Sequence, residues 1–91
     1  MTFEIQLSPH AVRSLKKLDS ETKEKIRRAI DTLRQNPSSG PAIKRLKGLL
    51  REYYRYRAGD YRIIYEIRDT EKIISIFAVG HRKDIYQKID Q

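Results

Sequence analysis

The chain has 91 residues, enough for one domain that makes its core from a layer of helix on a single sheet. It carries 20 Lys and Arg against 12 Asp and Glu, a formal net charge of +8, which suits a polyanionic partner and fast steering toward it. With no cysteine there are neither disulfides nor a thiolate metal site, and no apolar stretch is long enough to span a membrane, so the chain reads as cytosolic.

At the start, Phe3, Ile5 and Leu7 alternate with Thr2, Glu4 and Gln6, the mark of a half-buried strand. The opening MTFEIQLSP lacks the basic start and apolar run of a signal peptide. Ser8-Pro9 stops the strand and starts a short helix to about Leu18, with serine as N-cap and proline at the first helical position. Ala11, Leu15 and Leu18 form its apolar stripe. Asp19-Ser20 caps a second helix, and Glu21 in its first turn suits the positive end of the dipole. Ile26, Ala29, Ile30 and Leu33 give that helix its buried face. Gln35 to Pro41 is a loop on turn chemistry, and Leu46, Leu49 and Leu50 are expected to anchor the core around Gly48.

Three strands follow, at about 52–57, 61–68 and 72–79. The short linkers Ala58-Gly59-Asp60 and Asp69-Thr70-Glu71 make neighbouring strands antiparallel. In the last strand Ile73, Ser75, Phe77 and Val79 alternate with Ile74, Ile76 and Ala78, so both faces are covered, as in a central strand. From Asp84 to Gln91 either a short helix or a frayed end is expected. The fold class is therefore α+β: an N-terminal strand, a two-helix hairpin packed on one side, and an antiparallel three-stranded meander, all within a single domain over 1–91.

Within that meander arginines and tyrosines alternate. Period two places Arg55 and Arg57 on one face, with Arg62 arriving from the next strand. Guanidinium groups offer planar forks of donors and a permanent charge, so a sheet face that gathers them is suited to phosphate and points to nucleic acid. The chain carries no glycine-rich phosphate loop, no paired metal-ligand spacing and no serine–histidine–acid set. No metal or cofactor is expected.

The order of elements, with the strings LKG, YRYRAGDYRIIYEI and VGHRKDIY, resembles the RelE/ParE superfamily of toxin–antitoxin toxins, and most closely the RelE branch. The likeness spans nearly the whole chain. It implies a single RelE-like toxin domain of a type II toxin–antitoxin system that enters the ribosomal A site, cuts mRNA there and inhibits translation. A cognate RelB-like antitoxin would silence it, in a hetero-oligomer that binds operator DNA. Carried over by position, the basic active-site set falls on Arg55, Arg57, Arg62 and Arg82, and the C-terminal aromatic falls on Tyr86. Several RelE members carry lysines where this chain has Arg55 and Arg57, and arginine cannot act as a base.

RNA cleavage through the 2′-hydroxyl needs a base, cations around the phosphorane-like transition state and an acid for the leaving 5′-oxygen. Arg55, Arg62 and Arg82 are expected to supply charge, His81 or Tyr86 the proton transfer, and Arg57, Lys83 and Arg51 further RNA contacts. Plainer readings exist for each. Arg55 and Arg57 could be anti-aggregation charge on an edge strand, Arg62 could pair with Glu66 or Asp60, His81 could satisfy a carbonyl, and Tyr86 could pack on the sheet. Two other functions remain open at this level: a ParE-type inhibitor of DNA gyrase, and a non-catalytic nucleic-acid-binding module.

Overall fold

A computed structural model describes residues 2–86. Strand β1 (Glu4–Leu7) leads into helices α1 (Pro9–Lys16) and α2 (Ser20–Gln35), and these are followed by β2 (Ile43–Arg45), β3 (Tyr54–Ala58), β4 (Tyr61–Arg68) and β5 (Ile73–His81). The strands form one sheet in the order β1-β5-β4-β3-β2, with β1 parallel to β5 and the other neighbours antiparallel. The α+β class, the helical hairpin and the meander are as the sequence implies.

Local chemistry sets the helix ends. The Ser8 hydroxyl accepts from the Ala11 amide, and the Asp19 carboxylate accepts from the Thr22 amide, so each N-terminus has its cap. Both helices lie on one face of the sheet. Ala11, Ile26, Ala29 and Leu33 pack with Ile63, Tyr65, Ile74, Ile76 and Val79, and all of these are buried. Tyr65 is fully buried and stacks on Tyr54 with ring centroids 5.6 Å apart. Its hydroxyl donates to the Pro37 carbonyl at 2.6 Å, which ties the loop after α2 to the middle of the sheet. Burial pushes the Tyr65 hydroxyl well above the ordinary tyrosine range, so it remains a donor.

Three details depart from the sequence reading. Ile43–Arg45 forms a short edge strand, β2, in a segment too polar and too brief to show a period. Leu49 is 97% exposed and anchors nothing, because it sits in a single 3-10 turn, Gly48–Leu50, that points outward; Leu46 and Leu50 remain half-buried. The alternation in β5 breaks at Phe77. Ile64 pairs with Ala78 but Tyr65 pairs with Ile76, so Phe77 is an extra residue, and Val79 turns inward beside Ile74 and Ile76. The chain is helical at Ile85 and Tyr86, while the rest of the expected C-terminal helix lies outside the described residues. The β3–β4 hairpin closes through Gly59 and Asp60, and Gly59 has φ +63, the left-handed backbone that the first position of such a two-residue turn requires.

Tyr65→Phe should lower the unfolding free energy by about 1–3 kcal/mol, because it strands the Pro37 carbonyl without a donor while keeping the ring. Urea unfolding checks this, with the slope unchanged if the native fold is retained.

Candidate nucleic-acid interface

The face of the sheet away from the helices is defined by strand register. Lys44 of β2 faces Arg55 of β3, Arg57 of β3 faces Arg62 of β4, and Arg62 also lies beside Gly80 of β5. Ile64 and Ala78 form the buried floor between these cations. Like charges placed directly opposite one another on adjacent strands are destabilising. Here two such pairs occur side by side.

Several cations on α2 and around the β4–β5 turn have acidic partners. Arg27 binds both Glu24 and Asp31, Arg28 reaches Glu24, Lys72 binds Asp69, and Arg68 lies 3.6 Å from Glu66. Hydrogen bonding from Arg27 holds the Glu24 carboxyl down at about 2. Among the described residues Lys44, Arg55, Arg57 and Arg62 join no ion pair, and the buried Arg55 Nε has no hydrogen-bond acceptor. Arg62 is aimed by backbone: its Nη1 donates to the carbonyls of Gly59 at 2.8 Å and Tyr61 at 3.0 Å. That leaves its other donors for a ligand.

After β5 the chain folds back onto this face. The Arg82 amide donates to the Asp60 carbonyl at 2.7 Å, the Asp84 amide to the His81 carbonyl at 2.9 Å, and the Lys83 amide to His81 Nδ1 at 3.2 Å. Ile85 then drops onto Ile64 and Ala78. A Cβ on Gly80 would stand only 3.0 Å from Ile85 Cδ1, so the missing side chain is what lets the turn sit this low. This seats Tyr86 in the wall of a cavity of about 300 Å³, lined also by Lys44, Arg45, Leu46, Lys47 and Arg55.

The expected site residues therefore separate. Arg55, Arg57 and Arg62 share the open face, and Tyr86 joins Arg55 at the cavity. Arg82 stands over the β3–β4 turn, its guanidinium 3.7 Å from the Asp60 carboxylate; both are more than half exposed, so the pairing is weak. Lys83 is exposed beside it. His81 pairs in register with Tyr61, whose side chain belongs to the helix-side core, and its ring meets the Tyr61 ring edge-on at 5.6 Å. Register thus puts His81 on the side away from Arg62, with Nδ1 engaged in the turn. Arg51 folds back on its own loop, donating to the Gly48 carbonyl, and lines no part of the cavity. The edge-strand explanation of Arg55 and Arg57 does not hold, since β3 lies between β2 and β4, and Glu66 and Asp60 pair with Arg68 and Arg82 rather than with Arg62. Lys44 and Lys47 were missed as cavity residues. The only signal for them was the alternation Lys44, Leu46 beside Lys47, legible once β2 is known to be a strand.

Comparison with known proteins gives the family and the fold. Residues 5–86 match the family profile described as the ParE toxin of the type II toxin–antitoxin system, parDE. A relative named RelE1, from Methanocaldococcus jannaschii, is 33% identical over 89 residues, covering 96% of this chain and 98% of the relative. The chain belongs to the RelE/ParE superfamily of type II toxin–antitoxin toxins. Among solved structures, the toxin–antitoxin complex RelBE2 from Mycobacterium tuberculosis superposes with a TM-score of 0.80 at 26% identity, covering 90% of this chain and 100% of that one. The RelE–RelB complex from Pyrococcus horikoshii gives 0.76 at 27% identity, covering 90% and 97%. Among the described residues no helix is long and apolar enough to cross a membrane.

If an anion is what these facing cations await, the free protein should gain stability when one is removed. Arg57→Thr keeps a strand-forming residue and should stabilise by about 0.2–1 kcal/mol at low salt. The gain should shrink between roughly 20 and 500 mM salt, over which screening strengthens severalfold. Denaturant melts at the two salt concentrations check it.

Proposed function

We propose that this chain is the toxin of a type II toxin–antitoxin pair and acts as an endoribonuclease on mRNA held in the ribosomal A site, so that translation stops. The observation that carries the reading is the pair of facing cation couples, Lys44–Arg55 and Arg57–Arg62, with no acidic partner among the described residues and a phenol beside them. A phosphodiester supplies the negative charge this surface lacks.

In the reaction the 2′-oxygen bonds to phosphorus as its proton leaves, and the bond from phosphorus to the 5′-oxygen breaks as that oxygen gains a proton. The products are a 2′,3′-cyclic phosphate and a 5′-hydroxyl. Charge on the non-bridging oxygens grows in the transition state, and Arg55, Arg57 and Arg62 stabilise it as fixed cationic forks, with Arg82 at the rim. Arginine cannot carry the protons. Tyr86, Lys44 and Lys47 line the cavity and can exchange one, whereas His81 serves best as the residue that fixes the turn presenting Arg82 and Tyr86. Lys83 and Arg51 act as outlying electrostatic contacts.

The partner is a RelB-like antitoxin, supported by the RelB-bound state of several structural neighbours; with an excess of eight positive charges on the toxin, its covering segment is acidic. The toxin–antitoxin assembly would carry the operator-binding function, and the toxin itself works in the cytoplasm. A second reading is favoured by one finding, the match to a ParE profile: binding and inhibition of DNA gyrase without RNA cleavage.

Primer extension on an actively translated mRNA separates the two. The expected result is wild-type cleavage at ribosome-protected codons, with Arg55→Ala and Arg62→Ala each about a hundredfold slower or worse and natively folded by circular dichroism. Intact mRNA together with blocked gyrase supercoiling would replace the nuclease reading with the ParE one. Intact mRNA with unaffected supercoiling leaves only a nucleic-acid-binding module.

A further inference from the structure

Beside the arginines, the open face carries an aromatic pair that the phosphate chemistry does not use. Phe77 is the extra residue of the β5 bulge, and bulges commonly re-aim a side chain. Its neighbours hold it firmly: the Ser8 amide donates to the Ile76 carbonyl at 3.0 Å, and the Ser8 hydroxyl donates to the Phe77 carbonyl itself. The Phe77 ring rests against Tyr53, centroids 5.6 Å apart and planes tilted by 42°, while 40% of Phe77 stays exposed. Tyr53 packs on Ile64 and Ala78, the same floor that underlies the cations.

A lone exposed phenylalanine asks for no explanation. This one is fixed by a bulge, backed by a second ring and set on the face that gathers unpaired guanidinium groups. From Phe77 to Gly80, the neighbour of Arg62, is three residues along β5, on the order of 10 Å at strand rise. Arg55 lies two strands across from Ala78, again on the order of 10 Å. One short oligonucleotide can span these distances.

We propose that Tyr53 and Phe77 form a base-stacking ledge, which receives an unpaired nucleobase of single-stranded RNA while its neighbouring phosphates lie on Arg55 and Arg62. A π-face and fixed cations at this spacing are what sequence-tolerant single-strand binding requires. The ledge deepens the nuclease reading by naming the substrate as unpaired RNA with at least one base splayed from its stack. It rests on that reading only for the phosphate register.

The test uses the full chain and two fluorescein-labelled probes: a 2′-deoxy adenine hexanucleotide, which cannot be cut through the 2′-oxygen, and its abasic counterpart, which keeps the phosphates and lacks the bases. By fluorescence anisotropy the wild type should bind the hexanucleotide more tightly than the abasic strand. Phe77→Leu keeps apolar bulk but removes the ring, and should weaken the hexanucleotide roughly five- to a hundredfold while leaving the abasic strand unchanged. Phe77→Trp should restore the difference, which a merely structural defect would not allow. Equal binding of the two probes by the wild type overturns the ledge. So does an unaltered hexanucleotide affinity in Phe77→Leu, or an equal loss on both probes. If Phe77→Leu weakens only the antitoxin complex, the ledge is a protein contact and the RNA assignment falls. Ribosomal mRNA cleavage by the wild type is scored separately: its absence sinks the nuclease reading while a ring-dependent preference for bases still stands.

Discussion

Four cations set in two facing couples on one side of a sheet, Lys44 opposite Arg55 and Arg57 opposite Arg62, are the constraint around which the rest of this molecule is arranged. Adjacent strands hold such residues at close range, and a free protein gains nothing from the repulsion. Acids are not scarce in this chain, but those paired with cations sit on α2, at the β4–β5 turn, at the far end of β4 and, weakly with Arg82, at the β3–β4 turn, and none of them reaches these four cations. On α2 Arg27 and Arg28 are thereby paired, whereas charge on the open face is left for a ligand.

The two faces of the sheet divide the work. Helices α1 and α2 bury one face against Ile63, Tyr65, Ile74 and Ile76, and the Tyr65–Pro37 hydrogen bond pins the connecting loop to it. Stability can therefore come from one side, leaving the other free to carry an arrangement that costs some of it. The C-terminal turn completes the open face through packing: Gly80 leaves room, Ile85 fills it, and Tyr86 arrives at the cavity with Arg55. His81 contributes through its backbone carbonyl and Nδ1, both of which accept from the turn.

Much of this was legible in the sequence because it is periodic. Ala11, Ile26, Ala29 and Leu33 recur at helical spacing and are buried, and the alternation of Arg55, Arg57 with Tyr54, Tyr56 assigned the faces of β3 correctly. What sequence could not show depends on single residues or on long-range pairing. An extra residue at Phe77 is invisible to an alternation count, since a bulge changes the face of everything after it. Strand β2 is three residues long, too short for a pattern, and so Lys44 and Lys47 escaped notice. His81 looked like a proton carrier from its residue type, but only the pairing with Tyr61 reveals which side it occupies. Leu49 has the composition of a core residue and the position of a loop tip.

The central claim is that the open-face guanidinium groups receive an RNA phosphate. Arginine Nε–H signals in an NMR titration of the full chain with a 2′-deoxy trinucleotide report this directly, group by group. The account expects Arg55, Arg57 and Arg62 to shift and saturate together, while Arg27 and Arg28, already engaged with carboxylates on α2, stay in place. Shifts spread evenly over the helical arginines, or confined to them, would contradict it.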